Sequence, residues 1–292
     1  MTTLKKKLSE SETVKTSEKI EKKDGCFYFY DFRKNIYGGA MNPNLQKMFL
    51  EGDGNELVSK ACALHSSSML GYNFFHWIDN NKPLVIKWDD SDNEICYTKV
   101  SFEQKYTVLK DTKKSNMDIV LESDRGDYLF IESKFLEYKY TSNQKFEISK
   151  TYLEDNKYIT KNKDGWIDLI KEYQKHGKGG QYWGGIKQAI CHLIALTNWL
   201  QEHTVMKGDI RFINLVFDPR RDFDEWEAFD RYKELYLVFK ERVKGVIPDE
   251  LKIGFSTYSK MWPHIKKAIH SDLEEYLYDR YIQFSDYPDK MR

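Results

Sequence analysis

The chain of 292 residues has no excess of charge of either sign: Lys+Arg and Asp+Glu stand at 46 each. This excludes a globally basic nucleic-acid binder, so any grip on a polyanion must come from a local patch. Cysteine is scarce. Cys26, Cys62, Cys96 and Cys191 stand singly, with no Cys-x-x-Cys or Cys/His spacing that would build a zinc site. Cys62 and Cys191 fall in apolar helical patterns and read as reduced core thiols. No apolar run is long enough to span a membrane and no secretory leader is evident, so a cytoplasmic protein without a membrane partner is expected. There is no internal repeat, which excludes solenoids and propellers. Aromatics, by contrast, are plentiful, with 20 Tyr, 17 Phe and 7 Trp. They imply a large aromatic core, with base stacking as the sharper alternative. The length suits one large domain carrying insertions.

The chemistry concentrates between Asn116 and Phe135. Met117 to Leu121 is an apolar strand interrupted by Asp118. Asp124-Arg125-Gly126-Asp127 is turn chemistry, with Gly126 free to take a positive φ. Tyr128 to Ile131 is a second strand that turns polar at Glu132-Ser133-Lys134. Side chains alternate across a strand, so Phe130, Glu132 and Lys134 share a face. A turn pairing Glu122 with Tyr128 sets Asp118 opposite Glu132, with Cβ atoms about 5 Å apart. Two carboxylates that close repel unless a cation lies between them, and hard oxygen ligands suit Mg²⁺ or Mn²⁺.

Asp118 followed fourteen residues later by Glu132-Ser133-Lys134 on an apolar strand resembles the active-site signature of the PD-(D/E)XK nuclease superfamily. Met117 stands where a proline often precedes the aspartate. The resemblance implies a restriction-endonuclease-like α/β fold with an αβββαβ core, a mixed sheet flanked by helices. It also implies metal-dependent hydrolysis of a phosphodiester, of DNA by preference, in restriction, defence or repair. Asp118, Glu132 and the Ser133 carbonyl would bind Mg²⁺ or Mn²⁺, and Lys134 would hold the attacking water. A glutamine from the following helix, here Gln188, would orient the lysine or a water. A glutamate on the preceding helix, here Glu56, is a candidate outer ligand. Without the resemblance, Glu56 reads as a first-turn acid favouring the helix dipole and pairing with Lys60. The rival reading is a nuclease-like module that binds nucleic acid or a partner without cutting. A homodimer is compatible with either.

The rest of the chain is organised around that hairpin. Residues 1–24 read as a solvated charged tail or a frayed helix outside the core, and 25–292 as one domain with its core at about 55–258. Gly38-Gly39 and Asn42-Pro43 mark a loop. A helix is expected from Asn55, as N-cap, to Ile78, and strands at 83–86, 95–100 and 105–109. Lys110, Lys113 and Lys114 form a loop that could hold a phosphate backbone. Residues 136–180 are a polar insertion with short helices at 150–157 and 166–173. From Ser133 to Lys187 there are eleven lysines against seven acids, interleaved with Tyr138, Tyr140, Tyr152, Tyr158 and Tyr173. That is either a sugar-phosphate surface or an ordinary solvated insertion. Tyr182 to His203 is a helix with two uncharged stripes, so it is covered on both sides. Gln188 is expected to face the carboxylates, and His192 to be a satisfied, partly buried histidine pointing elsewhere. Strands at 209–217 and 251–258 and helical additions at 222–243 and 259–284 complete the pattern.

Overall fold

In a computed structural model, residues 3–16, 20–52, 57, 60–110, 114–140, 145–203 and 208–287 are described. A six-stranded sheet organises them. Its strands are β3 (Leu84–Lys87), β4 (Glu94–Thr107), β5 (Lys114–Ser123), β6 (Tyr128–Lys134), β7 (Ile210–Val216) and β8 (Leu251–Thr257), lying side by side in chain order. The first four are antiparallel neighbours; β7 and β8 add in parallel. Parallel addition requires crossovers. The β6–β7 crossover carries α5 (Lys163–His176) and α6 (Trp183–Glu202), and the β7–β8 crossover carries α7 (Trp226–Val243). With α4 (Ser67–Phe75) ahead of the sheet, the expected αβββαβ core is present, extended by an edge strand on each side. This is a restriction-endonuclease-like architecture. Among the described residues no helix is long and apolar enough to cross a membrane.

The β5–β6 hairpin has the expected register, Glu122↔Tyr128 through Ile119↔Ile131. Gly126 takes φ +81° in the turn, a conformation open to glycine at little cost. The alternation sorts the two faces. Ile119 and the Ser133 hydroxyl meet α4 at Gly71, and Ser133 Oγ reaches Tyr258 at the start of α8 (Tyr258–Lys266). On the other face Phe130 packs edge-on against Trp199 of α6. Strand β7 is buried along its whole length, as its unbroken run Ile-Arg-Phe-Ile-Asn-Leu-Val requires between two helical layers.

Several expectations are corrected. The helix expected from Asn55 is shorter: a 3₁₀ turn at Lys60–Cys62, then α4, whose N-cap Ser66 accepts from the Met69 N–H at 3.3 Å. The polar run His65-Ser66-Ser67-Ser68 is thus a helix start rather than a helix interior. Asn55 and Glu56 lie outside the described residues. The loop after Asn42 instead becomes α3 (Pro43–Glu51), with Asn42 as N-cap and Pro43 in the first turn. The two strands expected at 95–100 and 105–109 are one strand, β4, bulged between Tyr97 and Lys99. Residues 150–157 form two 3₁₀ turns rather than a helix. The helical addition expected at 259–284 starts at the N-cap Thr257, at the end of β8, and is split into α8 and α9 (Ser271–Arg280).

The N-terminal segment also differs from a solvated tail. Leu4 and Leu8 of α1 (Leu4–Ser9) are fully buried, and the Leu4 N–H donates to buried Glu225 at 3.0 Å. A short α2 (Glu12–Lys15) hydrogen-bonds through Thr13 to Asp279 at 2.8 Å, and β1 (Ile20–Lys23) pairs with β2 (Cys26–Phe29). Two leucines four apart in a lysine-rich stretch are enough to dock one helical turn. Of the tyrosines in the insertion, Tyr138, Tyr158 and Tyr173 are core residues, and Tyr152 bonds Cys191 Sγ at 3.1 Å; Tyr140 is the exposed one.

The buried Tyr232 side chain of α7 reaches across to Gly185 of α6, where an added Cβ would collide with its hydroxyl. Gly185→Ala should therefore destabilise the fold by about 1–3 kcal/mol through overpacking, against the ordinary gain from alanine in a helix. Denaturant melts check this; a variant as stable as the parent would show that the two helices are not packed this tightly.

Candidate active site

Beyond Ile119↔Ile131 the β5–β6 ladder stops, and the Ser133 N–H donates instead to Asp118 Oδ2 at 2.8 Å. A side chain thus replaces a ladder partner where the strands part. The aspartate is half-buried, its rim turned into a cavity of about 500 Å³ that Glu132, Lys134, Gln188 and Tyr182 also line. The start of α4, from Ser66 to Ser68, closes the opposite wall. Asp118, Glu132, Lys134 and Gln188, drawn from three elements, therefore meet at one pocket. A larger cavity, about 810 Å³, opens at the other end of the sheet. On its wall Asp209 accepts from Lys252 at 2.5 Å, and also from the neighbouring Arg211 at 2.9 Å.

Glu132 is buried with both oxygens occupied. Lys134 Nζ donates to Oε1, and His192 Nε2 lies 2.7 Å from Oε2. Lys134 also donates to Gln188 Oε1 at 2.8 Å. A lysine can only donate, so this contact fixes the amide orientation and leaves the Gln188 NH₂ for the pocket. Gln188 is placed as expected. His192 is satisfied and buried, as expected, but points at the central glutamate rather than elsewhere. Its Nδ1 meets Ser115 Oγ at 2.7 Å. Residues 188 and 192 are one turn apart and so share a face of α6. Periodicity could find that face but not what lay beneath it.

The electrostatics are those of crowded acids. Burial, then Glu132 and Glu103, push the Asp118 carboxyl well above the usual carboxylate range. Burial pushes Glu132 up as well, but Lys134 and His192 outweigh it and hold this carboxyl below its ordinary range. Burial works against the Lys134 charge, and Glu132, Tyr182, Glu137 and Asp118 more than restore it, so its pKa is raised. Burial lifts the Tyr182 phenol to about 12. Glu103 escaped the sequence reading. It sits on β4 between the pairs Phe102↔Ile119 and Gln104↔Met117, hence across from Asp118, with φ +52°. Left-handed backbone outside glycine costs on the order of 1 kcal/mol and concentrates at functional sites.

These donors suit a hard divalent cation. Among the described residues nothing donates to Asp118 Oδ1, and of the two causes that lift its carboxyl, burial and then the nearby acids, a cation would relieve the second. Among the described residues no cluster of three or more His, Cys, Asp and Glu forms a closed cage. Mg²⁺ commonly makes do with one or two carboxylates and keeps its waters.

His65, also on the pocket wall, is held neutral by burial and by the nearby Lys5 and Arg280 charges, which move its pKa from 6.5 to about 4. Its contribution to stability is whole above pH 6.5 and is lost as pH falls toward 4. The melting temperature of the parent should therefore drop more steeply across that window than that of His65→Gln. Parallel pH curves for the two proteins would contradict the shift.

Comparison with protein families matches residues 40–282 to the family described as Restriction Endonuclease associating with ARP. No curated protein and no solved structure gives a match. The matched span runs from before α3 through α9, well over half of the chain, and contains Asp118, Glu132, Lys134, Gln188 and His192. It supports a nuclease-type function with a nucleic-acid substrate. The chain belongs to the family of restriction endonucleases associating with ARP.

Proposed function

We propose that the chain is a Mg²⁺-dependent endonuclease that hydrolyses phosphodiester bonds of DNA, with Mn²⁺ as an alternative ion. The observation that carries this reading is the convergence of Asp118, Glu132, Lys134 and Gln188 on one pocket. Asp118 and Glu132 would hold the ion, with the Ser133 carbonyl as a third ligand. Lys134 C=O accepts from Phe217 N–H of the β7 side at 2.8 Å, so the groups of Ser133 point the other way, toward Asp118. Bound there, Mg²⁺ supplies charge neutralisation at the phosphate and a more acidic water.

The chain's own groups do the rest. Lys134 presents an ammonium, anchored on Glu132 and Gln188, to the attacking water and to the negative charge that develops on the phosphate. The NH₂ of Gln188 orients a water or a phosphate oxygen. The rival, a module that binds without cutting, would need none of these groups beyond their charge.

Lys134→Ala should lower turnover by about 10²–10³ while substrate affinity holds. Because the lysine is buried against Glu132, its loss also costs roughly 3–5 kcal/mol of stability, so rates are to be compared well below the variant's melting temperature. Asp118→Ala should instead weaken metal binding itself. Gln188→Ala should fold normally and retain part of its activity. The assay is cleavage of plasmid, linear DNA and RNA in Mg²⁺ or Mn²⁺. A folded Lys134→Ala protein that cuts as fast as the parent would remove the lysine's role, and binding without cutting by the parent would favour the rival.

A further inference from the structure

Glu132 takes two hydrogen bonds from opposite sides. The Lys134 donor belongs to the reactive set. The His192 donor lies behind the carboxylate, 3% exposed and away from the pocket walls. An ionised carboxylate only accepts, so His192 Nε2 carries the hydrogen in this contact. The ring is fixed from its other nitrogen, where Nδ1 meets Ser115 Oγ at 2.7 Å. It is also fixed from its flank, where Phe212 of β7 packs at 5.7 Å between ring centroids. Ser115 is on β5, three residues before Asp118, and Glu132 is on β6. The relay Ser115–His192–Glu132 therefore runs from the strand of one acid, through α6, to the other acid. It engages Oε2, so that Oε1, which accepts from Lys134, is the glutamate oxygen on the Lys134–Gln188 side.

We propose that His192 is a positioning residue. Together with Ser115 it locks Glu132 in the rotamer that offers Oε1 to a divalent cation in the pocket. This inference rests on the functional reading above. Groups that orient a metal ligand from behind matter nearly as much as the ligand, and their loss typically costs about 10–100-fold in metal affinity or activity. A histidine present only to fill space and neutralise charge would have no such effect on the ion.

The test is calorimetric titration of Mn²⁺ into the substrate-free full chain, with cleavage rates in parallel, for the parent, His192→Leu, His192→Gln and Ser115→Ala. His192→Leu keeps the apolar volume and removes the donor; it should weaken Mn²⁺ binding about 10–100-fold. His192→Gln returns an N–H donor and should recover most of that loss. Ser115→Ala leaves the donor but frees the ring, and should show a smaller, measurable weakening. In cleavage, the loss should be largest at limiting Mn²⁺ and shrink as the ion saturates. Mn²⁺ affinity in folded His192→Leu equal to the parent's would overturn the proposal. If His192→Leu does not fold, Ser115→Ala decides, and parental Mn²⁺ affinity in that variant overturns it. Should the parent itself bind no Mn²⁺, the functional reading falls and this inference with it. Binding by the parent with unchanged variants defeats this inference alone.

Discussion

The Glu132 carboxylate is the constraint on which the site depends. It is buried at the end of a strand, so its charge survives only if donors are built around it. Lys134 supplies one from the same strand, two residues on, because a strand returns to the same face every second residue. His192 supplies the other from α6. Helix and sheet are thus joined through a charge as well as through the Phe130–Trp199 packing beside it. A shift of the β6 register by one residue would turn Glu132 and Lys134 to the α4 face and strand both charges.

The second acid is held differently. Asp118 spends one oxygen on a backbone N–H where the hairpin opens and leaves the other toward the cavity. Burial and the neighbouring acids Glu132 and Glu103 oppose its charge, and Lys134 and the Ser133 N–H offset them only in part. One carboxylate is satisfied and one is frustrated. A pair arranged only for stability would not keep that imbalance, whereas an added cation would remove it.

The centre of the site was legible in the sequence for definite reasons. The Asp-Arg-Gly-Asp turn fixes the loop length, the loop length fixes the register, and alternation then assigns the faces of Asp118, Glu132 and Lys134. Gln188 follows from the resemblance, which implies a glutamine on the helix after the Glu-Ser-Lys strand; the period of α6 gives only the face it shares with His192. His192 is buried and satisfied as expected, but its partner is not legible, because period and polarity are local and Glu132 is sixty residues away on another element. Glu103 was invisible for a similar reason: its importance lies in a backbone conformation and in a neighbour across the sheet, and its own strand appeared to be two. The missed α3 was a matter of reading, since Asn42-Pro43 is both a turn signal and a helix start. The docked N-terminus could not have been weighed from composition, because two leucines decide it among many charges.

The central claim is that Asp118 and Glu132 together form a divalent-cation site, and diffraction from crystals soaked in Mn²⁺ tests it most directly. The account predicts an anomalous peak within coordination distance, roughly 2.0–2.3 Å, of one oxygen of Asp118 and one of Glu132, absent in crystals of Asp118→Asn. A well-occupied Mn²⁺ peak elsewhere in the molecule, with none between these two carboxylates, would contradict it.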